Sequence, residues 1–138
     1  LLEREEYIEF IIKPNQQISE EIRQFSRQTK IIHFPRGSRN NYKIFAEEVH
    51  CDVLSLDQTY PKELPTFLRE KGITVQGNLD PQELLKEGDR VKEKTKEVLE
   101  KFKHNNHIFN LSHGILPKTK ISNIEKVIKV VRDYETSK

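Results

Sequence analysis

Ile73-Thr74-Val75-Gln76-Gly77-Asn78-Leu79-Asp80-Pro81-Gln82-Glu83 joins two kinds of structure within one short segment. Its opening, Ile73 to Gln76, is an apolar run without clean alternation, as expected of a strand buried on both faces of a parallel sheet. Its close, Asp80-Pro81-Gln82-Glu83, reads as the start of a helix. An aspartate caps, a proline takes the first helical position, and a carboxylate sits in the first turn. A strand that leads directly into a helix is the repeating unit of an α/β fold.

The same unit recurs on both sides. Ile31 to Phe34, Val53 to Leu56 and Ile108 to Leu111 are three further apolar runs. Between the first two, Tyr42, Phe45, Ala46 and Val49 share a helical face. Before Ile73, Leu64, Phe67 and Leu68 do so, and Gly72 is placed to stop that helix. Past Gly88, Val91, Thr95, Val98, Leu99 and Phe102 repeat at helical spacing. Ser122-Asn123-Ile124-Glu125 has the pattern of a capping box, followed by the stripe Ile124, Val127, Ile128 and Val131. Upstream, Tyr7, Phe10, Ile11, Ile18, Ile22 and Phe25 predict one helix or two, kinked or interrupted near Pro14. Strand and helix thus alternate four times after a leading helix, which predicts a parallel sheet with right-handed crossovers. A small doubly wound domain and half of an eight-stranded barrel both fit. A full barrel needs about 250 residues, and this chain has 138.

Bulk properties narrow the function. Lysine and arginine number 24 against 22 acidic residues, a net charge of +2. No basic stripe of the kind that nucleic-acid binders carry emerges from that balance. No apolar run approaches the roughly 20 residues that span a bilayer. Cys51 is the single cysteine, so an intrachain disulfide is excluded and a reducing, cytoplasmic setting is expected. The chain has no methionine and begins at Leu1, which sets the expectation that an upstream part is missing.

Two longer motifs carry more information. Val75-Gln76-Gly77-Asn78-Leu79-Asp80-Pro81 resembles the VQGNLDP segment of uroporphyrinogen decarboxylases. His107-Ile108-Phe109-Asn110-Leu111-Ser112-His113-Gly114-Ile115-Leu116-Pro117 is similar to that family's HIFNLGHGILP. Val53-Leu54-Ser55-Leu56-Asp57 resembles its VVGLDW strand, and Ile31-Ile32-His33-Phe34 with Gly37 resembles an earlier strand and loop. Three departures stand out. Gln58 replaces the usual tryptophan, Ser112 the usual glycine, and Pro35-Arg36 a common glycine and lysine.

The resemblance implies an α/β fold, a (β/α)8 TIM barrel, of which residues 1–138 would be the C-terminal half: its last four βα units. It implies removal of carbon dioxide from the four acetate side chains of uroporphyrinogen III, giving coproporphyrinogen III in heme synthesis. It implies no metal and no organic cofactor, a tetrapyrrole polyanion as small-molecule partner, no nucleic acid or membrane partner, and a homodimer. The family's arginine-bearing motif, key aspartate, and active-site tyrosine and serine would lie outside this chain, so the fragment alone is expected to be inactive. No residue here is assigned as catalytic. Two alternatives are a non-catalytic half-barrel used for binding or oligomerisation, and a zinc- or cobalamin-type methyltransferase of the same fold family.

Among individual residues, His113 follows the last strand, where barrel enzymes place functional side chains. The matching family histidine faces the substrate cavity, so His113 is a candidate substrate-binding residue. Arg36 and Arg39 flank Gly37-Ser38 after the first strand and are weaker candidates for holding substrate carboxylates; a solvated basic loop is the bland alternative. Asp80 is expected to cap a helix, Asp57 to orient a loop, and Asn78 and Asn110 to satisfy backbone groups at strand ends. His33 is expected to be packed, Cys51 to be buried, and His50, His104 and His107 to lie in loops and at helix ends.

Overall fold

A computed structural model describes residues 2–136. The single domain expected over residues 1–138 therefore extends onto Leu1, Ser137 and Lys138, which lie outside the described residues.

The leading helix is continuous but not uniform. α1 (Arg4–Tyr7) passes through a π-helical turn (Ile8–Ile12) into α2 (Lys13–Phe25). Pro14 explains the change of pitch. It cannot donate to the Phe10 carbonyl, and its ring crowds that oxygen. The wider turn, in which the Lys13 amide donates to Ile8, makes room for it. The expected kink is thus a π turn just before the proline.

The alternation then follows: β1 (Ile32–His33), α3 (Tyr42–Glu48), β2 (Val53–Ser55), α4 (Leu64–Glu70), β3 (Thr74–Leu79), α5 (Arg90–Lys101), β4 (His107–Leu111) and α6 (Ile121–Thr136). All neighbouring strands pair in parallel, in the order β1-β2-β3-β4. The order never reverses, so right-handed crossovers put the helices on one face. Packing agrees. Leu54, Leu56 and Val75 join Tyr42, Phe45, Leu64, Leu68 and Phe102 in the main core. Leu79 joins Leu84, Val91 and Val127 in a second, flanked by Phe109 and Leu111. On the alternate positions of β4 and at the end of β1, Ile32, Phe34 and Ile108 stay 42–51% exposed. Burial on both faces, expected of every strand, holds for β2 but not for β4, whose residues alternate.

Local signals account for several boundaries. Gly72, at φ +72, ends α4. The Ile73 amide donates to Leu68 and the Gly72 amide to Arg69, which closes a Schellman motif. Asp80 accepts from the Gln82 amide at 2.8 Å, but the segment it caps is a 3-10 helix (Pro81–Leu85), tighter than the helix expected. The capping box at Ser122 does not form, because α6 already begins at Ile121. Asn123 is used over a longer range, donating to the Leu84 and Lys86 carbonyls at 3.0 and 2.9 Å.

Asp52 locks the opposite end of the sheet. It pairs with Arg23 of α2, accepts from Lys30 at 3.0 Å and takes the Ile31 amide at 2.9 Å. Burial alone would raise its carboxyl, but the Ile31 amide, Lys30 and Arg23 outweigh that and hold it at about 2. The folded value lies below the unfolded 3.8. The group therefore contributes stability that is present above about pH 4 and lost as pH falls toward 2. Replacing Asp52→Asn should cost roughly 2 kcal/mol at pH 7, since Arg23 loses its carboxylate partner and keeps only the Arg27 and Thr29 carbonyls. Urea unfolding at both pH values checks this: the two proteins should converge near pH 2, and an undiminished gap would contradict the assignment.

Candidate functional site

Because the strands are parallel, their C-terminal ends share one rim. Four loops meet there: Phe34–Ser38 after β1, Leu56–Thr59 after β2, Asp80 after β3 and Ser112–Gly114 after β4.

Asp57 is the centre of this rim. Its Oδ2 accepts the Gly37 amide at 2.6 Å and its Oδ1 accepts the Thr59 amide at 2.9 Å. Its own amide donates to the Tyr42 hydroxyl at 3.1 Å, and its carbonyl accepts from Asn78 Nδ2 at 2.7 Å. Gln58 Nε2 returns to the Asn78 carbonyl at 2.8 Å. The loops after β1 and β2 and the end of β3 are therefore tied together by one aspartate and one asparagine. Tyr42 is fully buried, and that burial raises its phenol well above the ordinary value, so the hydroxyl stays neutral.

Arg36 and Arg39 occupy the loop that Asp57 holds. Both are exposed, and no ion pair joins either to a carboxylate among the described residues. Arg36 lines a recess of ≈ 520 Å³ with Tyr7, Asn15, His33 and Ser38. Tyr7 and Ser38 share a hydroxyl contact of 2.5 Å in its wall. Arg39 does not line that recess; it begins a 3-10 turn (Arg39–Asn41) with φ +47.

His113 lies at the far end, half-buried, in a smaller recess of ≈ 350 Å³ formed with Leu84, Phe109, Leu111 and Ile124. Its Nδ1 is 3.1 Å from the Gly114 carbonyl. A carbonyl can only accept, so Nδ1 carries the proton. Nε2 is then a base when the ring is neutral and a donor to a carboxylate when it is charged. Three inter-strand spacings, about 14 Å, separate β1 from β4. Arg36 and His113 thus share a rim but line separate recesses. A groove of ≈ 750 Å³ between α5 and α6 is lined by Lys92, Lys96, Glu100, Lys126 and their neighbours and includes no rim residue.

Other residues serve the frame. His33 is buried edge-on against Phe45, its Nε2 2.8 Å from Ser19 Oγ. His107 is not a loop residue as expected: it opens β4, and its Nε2 lies 2.5 Å from the Gly77 carbonyl. Asn110 accepts from the Leu111 amide at 2.8 Å. Cys51 sits before β2, at the end remote from the rim, and burial pushes its thiol up to about 11. Among the described residues no group of three His, Cys, Asp or Glu side chains converges as a metal site, and no helix is long and apolar enough to cross a membrane. The zinc-methyltransferase alternative therefore has no ligand set among them. Asp57 orients loops, as expected of it; which further residues it meets was not legible, because Gly37, Tyr42 and Asn78 lie 15 to 21 residues away in the chain. The one available signal was its position at a strand end.

Comparison with known proteins gives a consistent result. The family model described as uroporphyrinogen decarboxylase matches residues 1–134. Proteins named uroporphyrinogen decarboxylase from Rickettsia africae (strain ESF-5) and Rickettsia massiliae (strain Mtu5) are 43% and 42% identical to this chain over 135 residues. One from Rickettsia canadensis (strain McKiel) is 41% identical over the same length. Each match covers 98% of this chain but only 39–40% of the relative. The chain spans about two fifths of the length of the curated relatives it matches.

Proposed function

The chain belongs to the uroporphyrinogen decarboxylase family, and from that premise we propose that it supplies the C-terminal half of a (β/α)8 barrel. In that barrel residues 1–138 are the last four βα units of a single domain. The whole enzyme removes carbon dioxide from the four acetate side chains of uroporphyrinogen and releases coproporphyrinogen. Strand order without reversal, helices gathered on one face and exposed Ile32, Phe34 and Ile108 on the other all support the arc geometry. The bare Ile32, Phe34 and Ile108 then face the barrel interior, where side chains of the remaining strands fill the space. The reading extends to a cytoplasmic homodimer that works without metal or organic cofactor.

The observation that carries the function is the rim itself. At one end are arginines without a carboxylate partner among the described residues, in a loop that departs from the family's usual glycine and lysine. At the other is a histidine within the segment that resembles the family's HIFNLGHGILP. A tetrapyrrole bearing carboxylates around its periphery can span such a rim. Arg36 and, less directly, Arg39 bind carboxylate, while His113 donates to a carboxylate or moves a proton. Positive charge on the pyrrole ring accompanies loss of each carbon dioxide and needs a facing carboxylate. Neither rim aspartate here is free for that task. Asp57 is committed to Gly37 and Thr59, and Asp80 caps Gln82. The remainder of the barrel supplies that group.

The test is anaerobic conversion of uroporphyrinogen by the enzyme that contains this chain. Changing His113→Ala there should lower kcat/KM on the order of 10²-fold with little change in melting temperature, because the side chain is half-buried and bonds only to its neighbour. Unchanged kinetics would reduce His113 to a residue that orders its own loop.

A further inference from the structure

Resting on that reading, we propose that Asp57 is a positioning residue that holds the β1 loop so that Arg36 meets a substrate carboxylate. On the C-terminal side the loop is held at Ser38, whose hydroxyl meets Tyr7 and whose carbonyl accepts the Asn41 amide; the segment that carries Arg36 has fewer constraints. The Arg36 amide donates to Phe34 and the Ser38 amide to Pro35, both within the turn itself. Gly37 adopts φ +82, and a Cβ there would meet nothing within 4 Å; the next residue, Ser38, is buried against Tyr7 and anchors the far side of the turn from Arg36. The tether across to the rest of the rim is the Gly37 amide donating to Asp57 Oδ2 at 2.6 Å. Asp57 can bear that load because its own backbone is fixed twice, by the buried Tyr42 hydroxyl and by Asn78.

A carboxylate is required for a stated reason. Asp57 receives two amides, one on each oxygen. Asparagine has one acceptor oxygen, so its NH2 would face one of those amides donor to donor. Asp57→Asn therefore keeps the volume and removes one tether. An exposed, unpaired guanidinium on the released loop would sample many positions and bind carboxylate more weakly. Such a loss falls on binding rather than on the chemical step, and so on KM.

The experiment uses the enzyme that contains this chain and compares Asp57→Asn, Arg36→Gln and the double variant. KM for uroporphyrinogen should rise on the order of tenfold in each single variant, with kcat retained. The double variant should be no worse than Arg36→Gln alone, because both changes remove one interaction. Hydrogen exchange at the Gly37 amide should be slow in the unaltered enzyme and fast in Asp57→Asn. Losses in KM that multiply in the double variant would overturn the proposal, since Asp57 would then act other than through Arg36. So would unchanged Gly37 exchange, or a lowered melting temperature with KM unmoved. If Asp57→Asn does not fold, Gly37 exchange in the unaltered enzyme decides: a protected amide supports the tether, and free exchange overturns it. Faster Gly37 exchange in a variant of an enzyme that converts no uroporphyrinogen would instead refute the function and leave the tether standing.

Discussion

Gly77→Ala is expected to destabilise the protein by roughly 3–5 kcal/mol, a large part of the 5–15 kcal/mol typical of a folded domain. Gly77 lies in β3 with φ +122, a backbone conformation that L side chains rarely adopt. A Cβ built there would stand 2.9 Å from the Leu56 carbonyl oxygen, a backbone atom just past the end of β2 that cannot rotate away. Strain and clash add. The only relief is to move β2 from β3, which would disturb the Leu56 to Gln76 bond at 2.9 Å and the Asp57–Asn78 contacts just beyond it. Gly37→Ala is the control, with φ +82 but open space around it; it should cost only about 1–2 kcal/mol of backbone strain. Chemical unfolding of the two variants separates clash from conformation. Equal losses would mean that β2 and β3 can part more easily than the packing indicates.

Gly77 also shows what could be read in advance and what could not. The runs around Val53, Val75 and Phe109 identified their strands, since β-branched and aromatic residues in short stretches have few alternatives in a parallel sheet. Gly72 and Asp80 marked boundaries through chemistry confined to a few neighbouring residues. Ser122 failed as a cap because Asn123 is drawn to carbonyls 37 and 39 residues away, and tertiary bonds override a local pattern. His107 looked like a loop residue because histidine does not mark strands, yet its ring meets Gly77 and Phe102. The rim follows the same division. Family motifs pointed to His113, and a polyanionic substrate drew attention to Arg36 and Arg39. Asp57 was expected to orient a loop, but its partners in the β1 loop and at the end of β3 meet it only in space, and no spacing in the chain records that.

Residues 1–138 expressed alone should not decarboxylate uroporphyrinogen, with turnover lower than that of the whole enzyme by more than roughly 10³-fold. Matches to this chain cover only 39–40% of each relative. A polyanion with carboxylates around its edge needs several cations converging on one cavity. This rim offers Arg36 and His113 in separate recesses, with Arg39 outside both. It also lacks an uncommitted carboxylate to face the ring cation, since Asp57 and Asp80 accept backbone amides. Ile32, Phe34 and Ile108 lie open on the face that further strands would cover, so the piece should also self-associate or aggregate. The decisive measurement is anaerobic coproporphyrinogen formation by residues 1–138, alone and joined to the remaining segment of the enzyme. Activity that appears only on joining is the predicted result. Turnover by the isolated chain near the rate of the joined enzyme would contradict the account, because the catalytic groups would then have to lie within these four βα units.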